Sequence, residues 1–386
     1  MKDFLFKMPA KVRFGIGISK NLGRILKEEM GYGNVFVATD AGIVKAGIIA
    51  KIEEGLKAGG IDYCVYDKLA PDPTIEIVDE AAETLRASGA DAVLAVGGGS
   101  PIDTAKAMCM LQTHGGSVGE YLFGGGKTVT REIMPLICVP TTAGTGSEMT
   151  AASVITNNQE KIKVSVTHEN LIPKAAIIDP ELQRGMPPFI TATTGMDALT
   201  HAVESYVSLN AEPMSDAMGL AAVKLISENL RTAVADGNNL EARANMAIAS
   251  TLAGAAFMNG GLGVVHGIAQ TVGAVAHVAH GTANALLLPY CMERNVTGNL
   301  KKFRDIAVAM GERVEGFSLR QAADRAAAAV FQLAKDLEVP MHLQKVGVTR
   351  EMFPKIIEGT MEYRLLSVNP CKLKEKDIEG ILNRAF

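Results

Sequence analysis

The character of the chain changes near Arg184–Pro188, and this change constrains the fold more than any other feature of the 386-residue sequence. Before it, short runs rich in β-branched residues alternate with helical stretches such as 75–87 and 101–111. Strands that alternate with helices are typical of a parallel sheet with helices on both faces. The runs predicted as strands are Asn34–Thr39, Asp62–Tyr66, Asp91–Val96, Met134–Val139 and Ala175–Ile178.

After the change, the sequence is rich in alanine, helical in its periodicity and poor in β-branched runs. The stretches predicted as helices include Ser215–Asn229, Leu240–Met258, Leu319–Leu337 and Asp377–Phe386. A chain of this length can form two domains, each with its own core. We therefore predict a Rossmann-like α/β domain over residues 1–185 and an all-helical domain over residues 186–386.

The composition excludes several classes of partner. A net charge of −4 with mixed charges gives no electrostatic reason to bind nucleic acid or an anionic membrane. The five cysteines are scattered and form no CxxC pair, which favours structural thiols in a reducing cytoplasm. The N-terminus lacks the apolar run of a secretory signal. Residues 246–290 are strongly apolar, but polar residues interrupt them, so we predict buried helices of a soluble domain rather than a membrane span.

Two glycine-rich segments directly follow predicted strands. In Gly97–Lys106 (GGGSPIDTAK), the glycines permit close backbone approach, Ser100 can cap the following helix, and the free N–H groups of the helix start favour a pyrophosphate. Pro140–Glu148 (PTTAGTGSE) fits a nucleotide contact and a plain turn equally well. Asp40 ends another strand, where a carboxylate binds a ribose and favours NAD over NADP, or caps the next helix.

Asp197 and His201 are four residues apart, so they share one face of a helix. These two residues, His266 and His280 all lie in apolar stretches, where a polar side chain without a partner is costly. A shared divalent cation would satisfy all four, and this donor set suits Fe, Zn, Co or Ni better than Mg or Ca. Two alternatives stay open: Asp197 as a helix cap, and His277 in place of His280.

Two long segments resemble signatures of the iron-containing, group III alcohol dehydrogenases: 176–204 (AIIDPELQRGMPPFITATTGMDALTHAVE) and 263–283 (GVVHGIAQTVGAVAHVAHGTA). GGGSPIDTAK, PTTAGTGSE and a late Asn369-Pro370 occur in the expected order, so the resemblance covers essentially the whole chain. It implies a dehydroquinate synthase-like fold, with a dinucleotide-binding α/β domain and a helical metal-binding domain. It also implies four metal ligands, with the histidine directly before a glycine as the last: Asp197, His201, His266 and His280.

The resemblance implies further site residues. Phe257 would lie near the substrate. Gln270 stands where many members carry a titratable histidine on the nicotinamide side, and a glutamine cannot take over a proton relay. Ala152, where some relatives have a polar side chain, and Leu365 would make the substrate pocket more apolar. The NAD site would be lined by Asp40, Asp72, Gly97, Gly98, Gly99, Ser100, Thr141, Thr142, Thr150, Lys163 and Leu182.

The implied activity is reversible, NAD-linked interconversion of a primary alcohol or diol and its aldehyde, with Fe²⁺ acting as a Lewis acid on the substrate oxygen. Zn²⁺ is the rival metal because it binds such sites more tightly than Fe²⁺. The alternatives are a zinc-dependent polyol dehydrogenase of the glycerol type, an NAD-using lyase of the dehydroquinate synthase type, and a non-catalytic sensor. The resemblance further implies a homodimer or larger homo-oligomer. The sequence identifies neither the alcohol nor the direction of the reaction.

Overall fold

The computed structural model describes residues 3–8, 10–158 and 162–386. The chain divides into two compact units. An α/β unit contains residues 10–142 and 147–183, and a helical unit contains residues 3–8, 143–146 and 184–386. Two short segments within the range predicted for the α/β domain, 3–8 and 143–146, therefore belong to the helical unit.

The α/β unit is built on a parallel sheet, as predicted. Its strand order among the described residues is β1-β8-β5-β4-β2-β3. The strands are β1 (Lys11–Phe14), β2 (Asn34–Asp40), β3 (Asp62–Leu69), β4 (Ala92–Gly97), β5 (Leu136–Pro140) and β8 (Ala175–Ile178). The central strands β4 and β5 are buried throughout, which explains their near-continuous apolar sequences. All five predicted strands are confirmed, with ends that shift by up to three residues.

Three strands were not predicted from the sequence. All four side chains of the edge strand β1 are exposed, so it has no apolar run to reveal it. The other two, β6 (Ala152–Asn157) and β7 (Ile162–Thr167), pair antiparallel in a separate small sheet. Their mixed burial gives only a weak alternation of polar and apolar residues.

Helices pack on both faces of the sheet. They are α1 (Leu22–Arg24), α2 (Ala41–Lys45), α3 (Ile48–Ala58), α4 (Ile75–Ser88) and α5 (Gly99–His114). The contact between α1 and α3 is very close because glycines make it. A Cβ added at Gly23 would lie 2.7 Å from the carbonyl oxygen of Gly55 and 2.8 Å from Cα of Gly59. A Cβ at Gly55 would likewise overlap the carbonyl oxygen of Ser19. Side chains here would force the backbones apart.

The helical unit agrees with the predicted all-helical second part. Its helices are α6 (Pro188–Val207), α7 (Pro213–Ala235), α8 (Leu240–Gly260), α9 (Val264–Ala276), α10 (His280–Asn295), α11 (Leu300–Ala309), α12 (Leu319–Asp336), α13 (Phe353–Met361) and α14 (Glu375–Ala385). Helix α6 starts with a proline in its first turn and is buried around nearly its whole circumference. It is therefore the central helix of the unit's core, which explains why its sequence shows no clean polar face.

Among the described residues, no single helix is both long and apolar enough to cross a membrane. The pair α8 and α9 reaches the required length and composition only together, and it bends by 103° between the two helices.

Gly55 and Gly380 form a matched pair of helical glycines. We expect Gly55→Ala to lower the free energy of unfolding by about 1–3 kcal/mol, because the new Cβ meets the backbone of Ser19. A Cβ at Gly380 in α14 would meet no described atom within 4 Å, so Gly380→Ala is expected to raise the free energy of unfolding by up to about 1 kcal/mol. Urea unfolding measures both. Equal effects of the two substitutions would contradict this account of the contact.

Candidate metal and dinucleotide sites

Helix α6 presents three acidic or imidazole side chains on one buried face. Asp197, His201 and Glu204 follow one another at spacings of four and three residues, which places them one above the other. Their exposed fractions are 2%, 4% and 4%, so each side chain depends on partners within the protein.

The two helices that follow the break after α8 supply the remaining histidines. His266 lies in the first turn of α9, which begins after Gly263, and His280 is the first residue of α10. Donor atoms of Asp197, His201 and His266 all lie within 4.8 Å of one another. His280 is outside this triplet, but its Nε2 atom is 3.8 Å from Oδ1 of Asp197. The structure thus brings together the four residues selected from the sequence.

Within the described residues, His277 makes none of the contacts that join these four residues. It ends α9 in the left-handed conformation, with φ at 55°, and its side chain is exposed. The side chain of His280 is also partly exposed, at 42%, but its ring packs 5.3 Å from that of His266.

The contacts of the Asn284 amide, one turn after His280 on α10, show whether the site fits a cation. Its Nδ2 atom lies 2.6 Å from Oδ1 of Asp197, 3.2 Å from Nε2 of His266 and 3.0 Å from Nε2 of His280. An amide nitrogen has two hydrogens, so it can satisfy only two of these three acceptors. Oδ1 of Asn284 is buried and has no hydrogen-bond partner in the described part of the chain. Acceptors that converge in this way fit a divalent cation.

The charge states also favour a cation. Burial lowers the pKa of His201 to about 3, so its imidazole is neutral and keeps one free lone pair. Nδ1 of His201 lies 3.3 Å from the carbonyl oxygen of Gly144, which accepts its N–H and leaves Nε2 free. Burial alone would raise the pKa of Asp197, but the neighbouring histidines and the Asn284 amide lower it below its usual value. A carboxylate and imidazoles with available ring nitrogens suit a first-row divalent metal.

Phe257 lies on α8, and Gln270 lies on α9, the helix that also carries His266. The ring of Phe257 stacks on His201 with a centroid distance of 4.5 Å, and His201 stacks on His266 at 4.7 Å. Gln270 is half-buried on α9, one turn after His266. Leu365 is half-buried in the short 3₁₀ segment Arg364–Val368.

In the α/β unit, the first residues of the two glycine-rich segments come together at the carboxyl ends of β4 and β5. The backbone N–H of Thr141 donates to the carbonyl oxygen of Gly97, and a Cβ at Gly98 would lie 3.3 Å from the hydroxyl of Thr142. Gly97 has a φ of 156°, and a Cβ there would lie 2.6 Å from Pro101, so a side chain is excluded. The buried hydroxyl of Thr141 has no partner among the residues that the structure describes. Glycines and a buried hydroxyl at strand ends and a helix start suit a phosphate-bearing ligand.

Asp40 lies at the carboxyl end of β2, the strand next to β4. Its Oδ1 atom accepts from the N–H groups of Gly42 and Ile43, so Asp40 does cap α2. Only one carboxylate oxygen makes these bonds, so the other can still accept from a ribose hydroxyl, as the predicted ribose role requires.

One detail of the helix start differs from the expectation. Helix α5 begins at Gly99 with Gly98 as its cap, and Ser100 lies inside the first turn. The hydroxyl of Ser100 instead accepts from the N–H of Asp72. Asp72 has a φ of 51° and pairs with Lys163 at 2.5 Å, which brings three predicted cofactor residues together.

Lys106 connects the second glycine-rich segment to α5. It is fully buried and donates to the hydroxyls of Ser147 and Thr150 and to the carbonyl oxygen of Ala152, at 2.7–3.1 Å. Burial lowers the pKa of Lys106, although Asp103 opposes this effect. The hydroxyl of Thr150 is therefore occupied within the protein. Leu182, another predicted cofactor residue, is 1% exposed and lies in the core beside the sheet.

Three residues of these sites were missed from the sequence: Lys106, Glu204 and Asn284. Spacing offered a signal for two of them, since Glu204 is seven residues after Asp197 and Asn284 is four residues after His280. Lys106 ends the motif GGGSPIDTAK, and only its complete burial shows its role.

Known proteins resemble this chain along nearly its whole length. A model of iron-containing alcohol dehydrogenases matches residues 9–180, and a model of the C-terminal part of the Fe-containing alcohol dehydrogenase family matches residues 191–386. The chain is 41% identical to the 1,3-propanediol dehydrogenase of Klebsiella pneumoniae over 92% of both chains. It is 37% identical to the NAD-dependent methanol dehydrogenase of Bacillus methanolicus over 99% of both.

A solved structure agrees with these relatives. The crystal structure of a 1,3-propanediol oxidoreductase superposes with a TM-score of 0.96 at 39% identity, covering 100% of both chains. Because the two family models together match nearly all of the sequence, we conclude that the chain belongs to the iron-containing alcohol dehydrogenase family.

Proposed function

We propose that the protein is an iron-dependent dehydrogenase that interconverts a small primary alcohol or diol and its aldehyde by hydride transfer with NAD. The observation that carries this proposal is the convergence of Asp197, His201, His266 and His280 around the Asn284 amide. We assign these four residues as the metal ligands.

Each part of the site then has a chemical task. A bound divalent cation supplies Lewis-acid polarisation of the substrate oxygen. The imidazoles and the carboxylate would hold that cation, and the stack with Phe257 fixes the plane of His201. We assign Phe257, Ala152 and Leu365 to the substrate pocket. Gln270 can orient a nicotinamide or a water by hydrogen bonding but cannot carry a proton, so the proton leaves by another route.

We likewise propose which residues bind NAD. Gly97, Gly98 and Gly99 would lie against the pyrophosphate, with Ser100, Thr141 and Thr142 beside it. Asp40 would face the ribose, and Asp72, Thr150, Lys163 and Leu182 would line the rest of the NAD site. The unpartnered hydroxyl of Thr141 supports a polar ligand at this position.

The relatives favour hydride transfer over the lyase alternative, because both are named as dehydrogenases. Zn²⁺ remains the competing metal, since the same donor set binds it more tightly than Fe²⁺. We further propose a cytoplasmic homodimer or larger homo-oligomer. All five cysteines are free thiols, and Val12 and Phe14 on the edge strand β1 are exposed apolar residues, which suits such an assembly.

His280 and His277 provide a matched test of the metal assignment. We expect His280→Ala to weaken Fe²⁺ binding at least 10–100-fold, the loss typical for an outer partner of a ligand, and to reduce NADH oxidation with short aldehydes accordingly. His277→Ala should leave both unchanged, because, within the described residues, this side chain makes no hydrogen bond, ion pair or ring contact with Asp197 or with the other histidines. Anaerobic metal titration and multiple-turnover assays with propanal, lactaldehyde and 3-hydroxypropanal, each with Fe²⁺ and with Zn²⁺, measure both effects. A His280→Ala protein with full metal binding and turnover would refute the assignment.

Asp40→Asn separates the two roles of this carboxylate. The amide oxygen can still cap α2, but the negative charge that repels a 2′-phosphate is lost. We expect the ratio of kcat/KM for NADPH to that for NADH to rise by about tenfold, equivalent to about 1.4 kcal/mol. Steady-state kinetics with both cofactors give this ratio, and thermal unfolding checks that the cap is retained. An unchanged ratio would leave Asp40 as a helix cap alone.

A further inference from the structure

Glu204 is a buried carboxylate that the proposed mechanism does not use. Its Oε2 atom lies 2.6 Å from Nδ1 of His266, and its Oε1 atom accepts from the backbone N–H of Val265 at 2.7 Å. A Cβ at Gly263 would come within 3.0 Å of Oε1, so the glycine before α9 leaves room for the carboxylate. Both bonds of Glu204 are therefore made to the first turn of α9, which carries His266.

The bond between Glu204 and His266 determines which ring nitrogen carries the proton. A carboxylate accepts hydrogen bonds, so Nδ1 of His266 must be the N–H donor. In the neutral ring, Nε2 is then a free lone pair. The other side of the ring agrees, because the Asn284 amide nitrogen lies 3.2 Å from Nε2 and can donate to it. The partners on both sides of the imidazole thus select the same tautomer.

We propose that Glu204 is a positioning residue that locks His266 in the Nδ1–H tautomer and directs its Nε2 lone pair at the metal. This inference rests on the metal site proposed above. Carboxylate partners of this kind fix the orientation of a ligating histidine and raise its basicity. His201 has the same arrangement with a neutral partner, the carbonyl oxygen of Gly144 at 3.3 Å. The bond from Glu204 is charged and shorter, so Glu204 constrains the ring of His266 more strongly than the Gly144 carbonyl oxygen constrains that of His201.

A purely structural role is the competing explanation, since Glu204 also holds the start of α9 in place. Glu204→Gln separates the two. The amide oxygen of the new side chain can still accept from the N–H of Val265, which keeps the helix anchored. Its NH₂ group then faces Nδ1 of His266 as a donor, which favours the Nε2–H tautomer and blocks the lone pair needed for the metal.

Glu212 offers a matched control. It is also a buried carboxylate, 7% exposed, and it also accepts backbone N–H groups at a helix start, those of Met214 and Ser215 at the start of α7. Its two carboxylate oxygens bond to no imidazole in the described structure. Glu212→Gln therefore reproduces the loss of a buried, helix-capping charge without touching a histidine.

The experiment measures Zn²⁺ affinity against a competing chelator for the wild type, Glu204→Gln and Glu212→Gln. It also records the histidine ring nitrogens of the metal-free proteins by ¹⁵N NMR, with His266 assigned through His266→Gln. We expect Glu204→Gln to weaken Zn²⁺ binding by about 10–100-fold and to convert His266 to the Nε2–H form, while Glu212→Gln changes neither.

Three results would overturn the inference: an Nε2–H tautomer of His266 in the wild type, wild-type affinity in Glu204→Gln, or an equal loss in Glu212→Gln. The spectrum of the wild type reports the tautomer of His266 whether or not any variant folds. If the wild type bound no metal, the proposed function would fail, and the tautomer would still decide the role of Glu204.

Discussion

The helical unit depends on the burial of two carboxylates, Asp197 and Glu204, on one face of α6. Removing a charged group from water costs several kcal/mol even after the surroundings relax, so each carboxylate must be matched by donors or by opposite charge. Asp197 finds the Asn284 amide and three histidines, and Glu204 finds His266 and the N–H of Val265. Apart from His201, which lies on α6 itself, these partners lie in α9 and α10, so the positions of both helices relative to α6 follow from this requirement.

Small residues make that arrangement sterically possible. A Cβ at Gly281, directly after His280, would lie 2.9 Å from the carbonyl oxygen of Thr193, so only glycine lets α10 begin against α6. Gly260 has a similar relation to the carbonyl oxygen of Ser205. The abundance of alanine and glycine in this half of the sequence therefore reflects close helix packing around buried polar groups.

The sequence predicted much of this organisation, for identifiable reasons. Short runs of β-branched residues and long stretches with helical periodicity are local signals. They located five strands of the main sheet and the helical second part. The spacing of Asp197 and His201 is also local, whereas the inclusion of His266 and His280 depended on their apolar surroundings and on the family resemblance. The edge strand β1 was missed because its exposed side chains give no burial pattern. Glu204 and Asn284 carried a spacing signal that was not used, and most partners of these two residues and of Lys106 lie far along the chain, where no single segment reveals them.

The stack of Phe257, His201 and His266 links two properties that are usually considered separately. The three rings lie nearly parallel, with tilts of 23° and 25° between neighbours. On the assignment proposed above, the ring of Phe257 limits the space for substrate on one side and supports a metal-binding imidazole on the other. Pocket volume and imidazole orientation would then change together at position 257, and a smaller side chain that admits a bulkier alcohol would also loosen the chemistry that acts on it.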